Sequence, residues 1–242
     1  MQEHYFPAFL DLRGRSVVVV GGGEVARGKV LGLLPCGAVV RLISPDAHPD
    51  LRRLDRRGTI RWEGRPYRPG DLAGAFMAIA ATDDPALNEA VYDEAVREKA
   101  LVNVVDVPDR CQFVYGAVMR RGRLQAAIST GGAAPAHAAA LKRDLAAHWG
   151  PEQGQLVSAY RRLRPVVQSR IGTVAGRKRF WLDLVRRNPA LPLLRARAGR
   201  AAVDGMLAGE VDRWAAREGG APAEARPPQE GEPERAASGG AV

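Results

Sequence analysis

The stretch VVVVGGGEVA, residues 17–26, decides the fold of this chain. Four consecutive valines are typical of a strand buried on both faces. Three glycines follow at once, and the apolar spacing from Glu24 to Leu34 then predicts a helix. Gly21, Gly23 and Ala26 therefore lie between a buried strand and a helix, with the G-x-G-x-x-A spacing of a dinucleotide-binding turn.

Each position of this turn requires a small residue for a different physical reason. Gly21 permits the tight turn from strand to helix, and the missing Cβ of Gly23 lets a pyrophosphate approach the backbone. Ala26 lets the helix pack closely on the strand, and the helix N-terminus offers free N–H groups to phosphate oxygens. A tight turn that binds no phosphate is the alternative, and the flanking strand argues against it. The residues expected to hold a dinucleotide here are Gly21, Gly22, Gly23, Glu24 and Val25.

The second strand, predicted over 38–43, completes a βαβ unit and implies a parallel sheet with a right-handed crossover. Dinucleotide folds often carry Asp or Glu at the end of this strand. This chain has Ser44, Pro45 and Asp46, which we assign to the cofactor site. Asp46 either reaches the adenosine ribose or is a turn residue after proline. The first alternative favours NAD over NADP.

Strand and helix patterns continue to alternate through the first half of the chain. Strands are predicted over 59–63, 75–81 and 101–106, and helices over 50–57 and 86–99. Thr82 follows one of these strands and is assigned to the same cofactor site. The predicted fold class is α/β, with a Rossmann-type parallel sheet, a small α+β segment after it and a C-terminal helical domain.

Asp106 ends an otherwise apolar predicted strand. Ligands of open α/β sheets bind beyond the carboxyl ends of the strands. A carboxylate there can exchange a proton with a substrate, with its pKa tuned by partial burial. Capping of the following segment 107–109 is an equally good interpretation of the spacing.

The pattern changes after residue 112. Segments 113–119 and 124–128 predict a β-hairpin, either added to the sheet or forming a small second one. Helices are expected over 135–149, 152–169, 174–187 and 199–217. The predicted domains are a dinucleotide-binding domain 1–112, a hairpin-and-helix segment 113–150, a helical domain 151–218 and a disordered tail 219–242.

A second glycine turn precedes the helix predicted over 135–149. Hydroxyl groups beside a helix N-terminus suit a carboxylate or phosphate, although ordinary helix capping has the same pattern. His137 in the first turn is a candidate base or metal ligand, or a merely structural histidine. Arg120 at the hairpin tip either meets acidic substrate groups or is a solvated surface charge. The residues of the turn are Ser129, Thr130, Gly131 and Gly132.

The chain of 242 residues carries 36 Lys and Arg against 27 Asp and Glu, a formal net charge of +9. This excess suits a nucleic acid or a small molecule with several carboxylates, or else it is only surface charge. Cys36 and Cys111 lack pairing or metal spacing, and the histidines lack ligand spacing, so no metal site is predicted. Without a visible signal peptide or membrane-length apolar run, a cytoplasmic protein is expected.

Several motifs occur in one order that resembles the precorrin-2 dehydrogenase family, whose members also form the front part of sirohaem synthases. They are the Pro7-x-Phe9-Leu10-x-Leu12-x-Gly14 opening, the glycine turn, Ala80-Ala81-Thr82-Asp83-Asp84, Asn88, Val102-Asn103-Val104-Val105-Asp106, Phe113 and Ile128-Ser129-Thr130-Gly131-Gly132. The resemblance covers residues 5 to 150 and continues more faintly beyond them.

The resemblance implies NAD-dependent oxidation of precorrin-2, an octacarboxylate tetrapyrrole, to sirohydrochlorin in sirohaem synthesis. It also implies a homodimer, and in bifunctional members insertion of Fe²⁺ into the product. The family's key aspartate falls on Asp106 and its substrate loop on 129–132. Gly116 and Ala134 depart from the family pattern and put only the shape of the tetrapyrrole pocket in doubt.

An alternative function is a dinucleotide-sensing regulator that binds nucleic acid through basic helices at 160–200. Arginines are frequent in this region. However, it shows neither an aromatic stacking pattern nor a helix-turn-helix signature. We therefore predict a small-molecule substrate, and neither nucleic acid nor membrane as a partner.

Overall fold

The computed structural model describes residues 5–217, so the tail predicted over 219–242 lies outside the described residues. The chain forms two compact units. Within the described residues, the first consists of 5–117 with Ile128–Ala140, and the second of Val118–Ala127 with 141–217. The four-part domain division made from the sequence stays a prediction.

The first unit is built on a five-stranded parallel sheet. Its strands are β1 (Ser16–Val20), β2 (Val39–Ile43), β3 (Arg61–Glu63), β4 (Met77–Ala80) and β5 (Leu101–Val104). The order across the sheet is β3-β2-β1-β4-β5, with Val20 paired to Ile43 on one side and to Ala80 on the other. The strand order therefore reverses beside β1, and such a switch point is where open α/β sheets bind ligands. The predicted Rossmann-type fold class is confirmed.

The helices of the sheet domain follow the strands closely. They are α1 (Glu24–Leu33), α2 (Pro49–Arg56) and α3 (Pro85–Arg97). Asp84 caps α3, because its carboxylate accepts hydrogen bonds from the N–H groups of Ala86 and Leu87. Short 3-10 helices lie at Leu34–Cys36 and Pro108–Arg110.

The valines of β1 alternate between two cores. Val17 and Val19 pack in the cluster on one face of the sheet, and Val18 and Val20 pack in the cluster on the other. All four are at most 1% exposed. The four-valine run thus marks a central strand covered on both faces, as the sequence predicted.

Two predicted strands have different bounds in the structure. The strand predicted over 101–106 ends at Val104, and the one predicted over 113–119 is β6 (Ala117–Arg121). Segment 111–113 instead bonds to the edge of β5: the Gln112 N–H donates to the Val102 carbonyl at 2.9 Å, and the Asn103 side-chain amide donates to the Phe113 carbonyl at 2.9 Å. These bonds attach residues 112 and 113 to β5, and the hairpin begins four residues later, at Ala117.

The hairpin is a separate two-stranded antiparallel sheet of β6 and β7 (Leu124–Ile128). The remaining helices are α4 (Pro135–His148), α5 (Pro151–Arg170), α6 (Val174–Arg187), α7 (Ala190–Arg195) and α8 (Arg200–Arg217). Of these, α7 was not predicted from the sequence.

A third apolar cluster, centred on Phe180, holds the helices of the second unit together. The Phe180 ring lies 5.6 Å from the Trp181 ring and 5.8 Å from the Trp214 ring, both edge-on. Among residues 5–217, no helix is long and apolar enough to cross a membrane.

Candidate functional site

The glycine turn leaves the carboxyl end of β1 and enters α1. Gly21 has φ = 109°, which disfavours any residue with a side chain, and a Cβ there would overlap the Ala81 carbonyl oxygen. A Cβ on Gly22 would overlap the Asp46 carbonyl oxygen in the same way. Packing of the protein itself therefore requires glycine at 21 and 22.

Gly23 is different, because no neighbour among residues 5–217 requires glycine there. Its backbone is extended, with φ = −77° and ψ = −169°, and it is the N-cap of α1. A Cβ at this position would have no neighbour within 4 Å. The open space lies at a helix N-terminus, where free N–H groups suit an anion, so the turn fits a dinucleotide pyrophosphate.

A cavity of about 390 Å³ opens over this turn. It brings together every residue assigned to the cofactor site from the sequence except Asp46. The predicted residues that line it are Gly21, Gly22, Gly23, Glu24, Val25, Ser44, Pro45 and Thr82. Sequence reasoning missed the other seven lining residues, which are Val20, Ile43, Pro66, Tyr67, Ala81, Asp83 and Leu87.

Tyr67 is fixed in the cavity wall by a buried carboxylate. Its hydroxyl donates a 2.5 Å hydrogen bond to Oε2 of Glu94, which is only 4% exposed. Glu94 also accepts hydrogen bonds from the backbone N–H groups of Gly70 and Leu72. Burial and then the Glu94 hydrogen bond raise the pKa of the Tyr67 hydroxyl, so it stays protonated and keeps donating. The only sequence signal was an acidic residue on the buried face of a predicted helix.

Thr82 is held by two hydrogen bonds to Asn88. The Thr82 hydroxyl donates to Asn88 Oδ1 at 2.8 Å, and the Asn88 amide returns a 3.0 Å bond to the Thr82 carbonyl. Asn88 lies on the first turns of α3 and is 8% exposed. This pair positions the end of β4 at the cavity.

Glu24 brings a negative charge to the helix end that is expected to bind phosphates. Its carboxylate accepts a 2.7 Å hydrogen bond from Nη1 of Arg27 and lies 3.3 Å from Nε2 of His48. Arg27 also donates to Asp50 at 2.7 Å, and these two acidic partners raise its pKa. The Arg27 guanidinium thus forms an ion pair with Glu24 at the mouth of the cavity.

The structure turns Asp46 away from the cavity. Its side chain is 93% exposed and forms a 2.9 Å ion pair with Nη2 of Arg52. Arg52 in turn donates to the Ala47 carbonyl at 2.7 Å. Of the two interpretations of Asp46, this geometry corresponds to the turn residue.

Asp106 lies in a turn two residues after the end of β5, in the left-handed conformation with φ = 61°. The expected partial burial is wrong, because the side chain is exposed. Capping is not its role either, since the following 3-10 helix has no side-chain cap. Over residues 5–217, no hydrogen bond or ion pair occupies the Asp106 carboxylate. A carboxylate that is free to exchange a proton with a ligand thus lies beyond the carboxyl end of β5.

Lys29 supplies a positive charge near this carboxylate and was missed in the sequence. It lies on α1, half-buried, with its ammonium 3.8 Å from the centroid of the Tyr115 ring. Burial lowers the pKa of Lys29, while electrostatic attraction from Cys111 and Asp106 opposes that shift. The only signal was a lysine within the helix of the glycine turn.

The hydroxyl groups of the second glycine turn accept hydrogen bonds from nearby backbone N–H groups. Ser129 Oγ accepts a hydrogen bond from the Gly131 N–H at 3.2 Å, and Thr130 Oγ1 accepts one from the Ala134 N–H at 3.1 Å. Neither this turn nor the exposed His137 lines the 390 Å³ cavity. Gly132 has φ = 87°, a backbone conformation that favours glycine.

Arg120 belongs to the second unit, where it lines a different cavity. Within the part of the chain described, no group of three or more His, Cys, Asp or Glu could hold a metal ion.

Two family descriptions match consecutive parts of the chain. Residues 8–117 match a family described as putative NAD(P)-binding, and residues 121–148 match one described as the sirohaem biosynthesis protein central segment. The first match supports a nicotinamide dinucleotide as the cofactor, without distinguishing NAD from NADP.

Curated relatives carry the name siroheme synthase. Siroheme synthase 1 of Serratia proteamaculans (strain 568) is 41% identical over 177 residues, which are 73% of this chain and 37% of that protein. Siroheme synthase of Actinobacillus pleuropneumoniae serotype 3 (strain JL03) is 36% identical over 181 residues, or 75% of this chain and 37% of that protein. The chain thus aligns with well under half the length of these relatives.

Among solved structures, the chain is similar to SirC, a precorrin-2 dehydrogenase. The TM-score is 0.69 at 24% sequence identity, and the match covers 86% of this chain and 100% of that one. At this level of identity the likeness establishes the shared fold.

Proposed function

We propose a function from two matches: residues 8–117 match a putative NAD(P)-binding family, and residues 121–148 match the sirohaem biosynthesis protein central family. The proposed reaction is the oxidation of precorrin-2 to sirohydrochlorin with NAD. The observation that carries it is the unfilled space beside Gly23. Gly23 is the N-cap of α1 and lies at the switch point of the sheet. The names of the relatives and of the structural neighbour support the choice of substrate.

The oxidation removes two hydrogens from the reduced macrocycle, one as a hydride and one as a proton. A bound NAD supplies the hydride acceptor. We assign the proton to the Asp106 carboxylate, because it has no competing partner among the described residues and lies at the carboxyl edge of the sheet. The charge of Asp106 attracts the Lys29 ammonium and so opposes the lowering of the Lys29 pKa by burial.

The substrate carries eight carboxylates, so recognition requires donors and positive charge. We propose that the turn 129–132 and His137 supply donors, and the assignment of Arg120 to acidic substrate groups stays a prediction. Support comes from the exposure of Ser129, Gly131, Gly132 and His137, which leaves the surface of this turn and the His137 side chain open to a ligand. Within the turn, the hydroxyl bonds of Ser129 and Thr130 fix its conformation.

The proposal is tested by mixing the protein with precorrin-2 and NAD and recording absorbance spectra. We expect reduced nicotinamide and sirohydrochlorin to appear in equal amounts, since one hydride leaves for each macrocycle oxidised. Binding of NAD without turnover of precorrin-2 would contradict the substrate, and absence of dinucleotide binding would contradict the site itself.

The preference for NAD over NADP is part of the proposal. A 2′-phosphate is normally accommodated by a nearby arginine, and here Arg52 is occupied by Asp46 and the Ala47 carbonyl. We expect Asp46→Ala to release Arg52 and to tighten NADP binding by about tenfold, the gain of one hydrogen bond to a charged group. NAD binding should change less than twofold.

Titration calorimetry with each dinucleotide measures this change. The double variant Asp46→Ala/Arg52→Ala is the control, since it should lose the gain for NADP. Equal tightening of both dinucleotides would contradict the assignment of Arg52.

Two further parts of the family resemblance stay proposals. Insertion of Fe²⁺ into sirohydrochlorin requires an acceptor for pyrrole protons, and the exposed Asp106 carboxylate is suited to that role. Addition of Fe²⁺ after the oxidation, compared with the spontaneous rate, tests it. Sedimentation of the protein in solution tests the proposed homodimer.

A further inference from the structure

The second unit contains a cavity of about 580 Å³ that takes no part in the proposed oxidation. It lies among the hairpin turn, α5 and the start of α8, and shares no lining residue with the dinucleotide cavity. Four arginines line it, and its lining includes no aspartate or glutamate. These arginines are Arg120, Arg121, Arg162 and Arg200.

Arg121 is held in place by neutral acceptors. Its Nε donates to the Trp149 carbonyl at 3.0 Å and its Nη2 to the Ala146 carbonyl at 3.1 Å, both at the end of α4. Nη1 lies 3.4 Å from the Arg120 carbonyl. A guanidinium has five N–H donors, so donors remain, and in the described part of the chain no carboxylate neutralises the charge. The positive charge is therefore both oriented and uncompensated.

Arg162 and Arg200 share one carboxylate. Asp204 accepts hydrogen bonds from Arg162 at 2.7 and 3.0 Å, and Arg200 approaches it only to 3.5 Å. Two positive charges are thus balanced by one negative charge, and the Arg200 side chain is 74% exposed. With Arg121, the cavity keeps an excess of positive charge in a confined space, which raises the local concentration of anions.

We propose that this cavity binds a small polyanion that carries several carboxylates. Guanidinium groups match carboxylates in bidentate geometry, and several arginines around one cavity suit a ligand with several such groups. The volume lies in the range of roughly 300–1,000 Å³ found for small-molecule sites. Gln155 and Ser158 add uncharged polar groups to the lining.

Benzenehexacarboxylate is a suitable probe, because it is a compact polycarboxylate without the tetrapyrrole skeleton. Calorimetric titration of the full chain is expected to detect binding that weakens about tenfold in Arg121→Gln and in Arg200→Gln, the loss of one charge-assisted hydrogen bond. Arg200→Gln is the safer variant for folding, since within residues 5–217 the Arg200 side chain forms only the long 3.5 Å ion pair to Asp204. Benzenetricarboxylate should bind the unmodified protein more weakly than the hexacarboxylate.

Arg164→Gln is the matched control. Arg164 is exposed on α5, does not line the cavity, and its loss changes the net charge equally. It should weaken binding less than twofold. Equal weakening in all three variants, or in none, would overturn the proposal. Displacement of the probe by inorganic phosphate at equal concentration would overturn the preference for carboxylates. The titration contains no dinucleotide, so its result is independent of the proposed oxidation.

Discussion

Gly23→Asp is expected to weaken NAD binding by about a hundredfold or more while the protein stays folded. Aspartate is a favoured N-cap residue, and its backbone conformation here is accessible to any residue. Its carboxylate would accept the N–H groups that the pyrophosphate needs and would repel the phosphates. Loss of two hydrogen bonds to a charged group costs about 3 kcal/mol, roughly a hundredfold in Kd.

Calorimetric titration with NAD and thermal unfolding measure the two effects separately. The free energy of unfolding should change by less than about 1 kcal/mol, because a Cβ at this position meets nothing within 4 Å. Gly23→Asn is the control, since it has the same shape without the charge and should weaken NAD binding less. If the aspartate variant bound NAD normally, the pyrophosphate would not lie on this helix end.

Gly21 gives the contrasting expectation at the same turn. Gly21→Ala should lower the free energy of unfolding, because the new Cβ would overlap the Ala81 carbonyl oxygen and the backbone φ is positive. Any loss of NAD binding in this variant would follow from the loss of folded protein. Within one motif, Gly21 is therefore required by protein packing, whereas Gly23 is required by ligand binding.

Asp106→Asn is expected to lower kcat for precorrin-2 oxidation by about 10²–10⁴-fold, the usual contribution of a positioned general base. The amide cannot accept the proton that leaves the macrocycle. Asparagine tolerates the left-handed backbone at this position, so the turn should persist. NAD affinity should stay within twofold, because residue 106 does not line the dinucleotide cavity.

Steady-state rates of NADH formation measure this effect, and titration with NAD checks the cofactor site. Asp109→Asn is the matched control: it lies three residues further on, is also exposed, and removes the same charge. Its kcat should be nearly unchanged. Full activity of Asp106→Asn would exclude the carboxylate as the base, and equal losses in both variants would indicate only a general charge effect.

The sequence by itself determined the parallel sheet and its glycine turn. Both depend on short-range information: a valine run covered on both faces, glycines at fixed spacing, and a helix that begins at once. Eight of the nine predicted cofactor residues line one cavity for the same reason, since they follow the carboxyl ends of adjacent parallel strands.

Only the tertiary structure decided the direction and partners of the charged side chains. It pairs Asp46 with Arg52, brings Tyr67 onto Glu94 across 27 positions, and places the charge of Lys29 near Asp106. It also gathers arginines from a hairpin and two helices around one cavity. Local patterns predict backbone conformation, because sterics and hydrogen bonding act over a few residues. Contacts between distant segments depend on how the elements pack, and the sequence pattern holds no direct record of that packing.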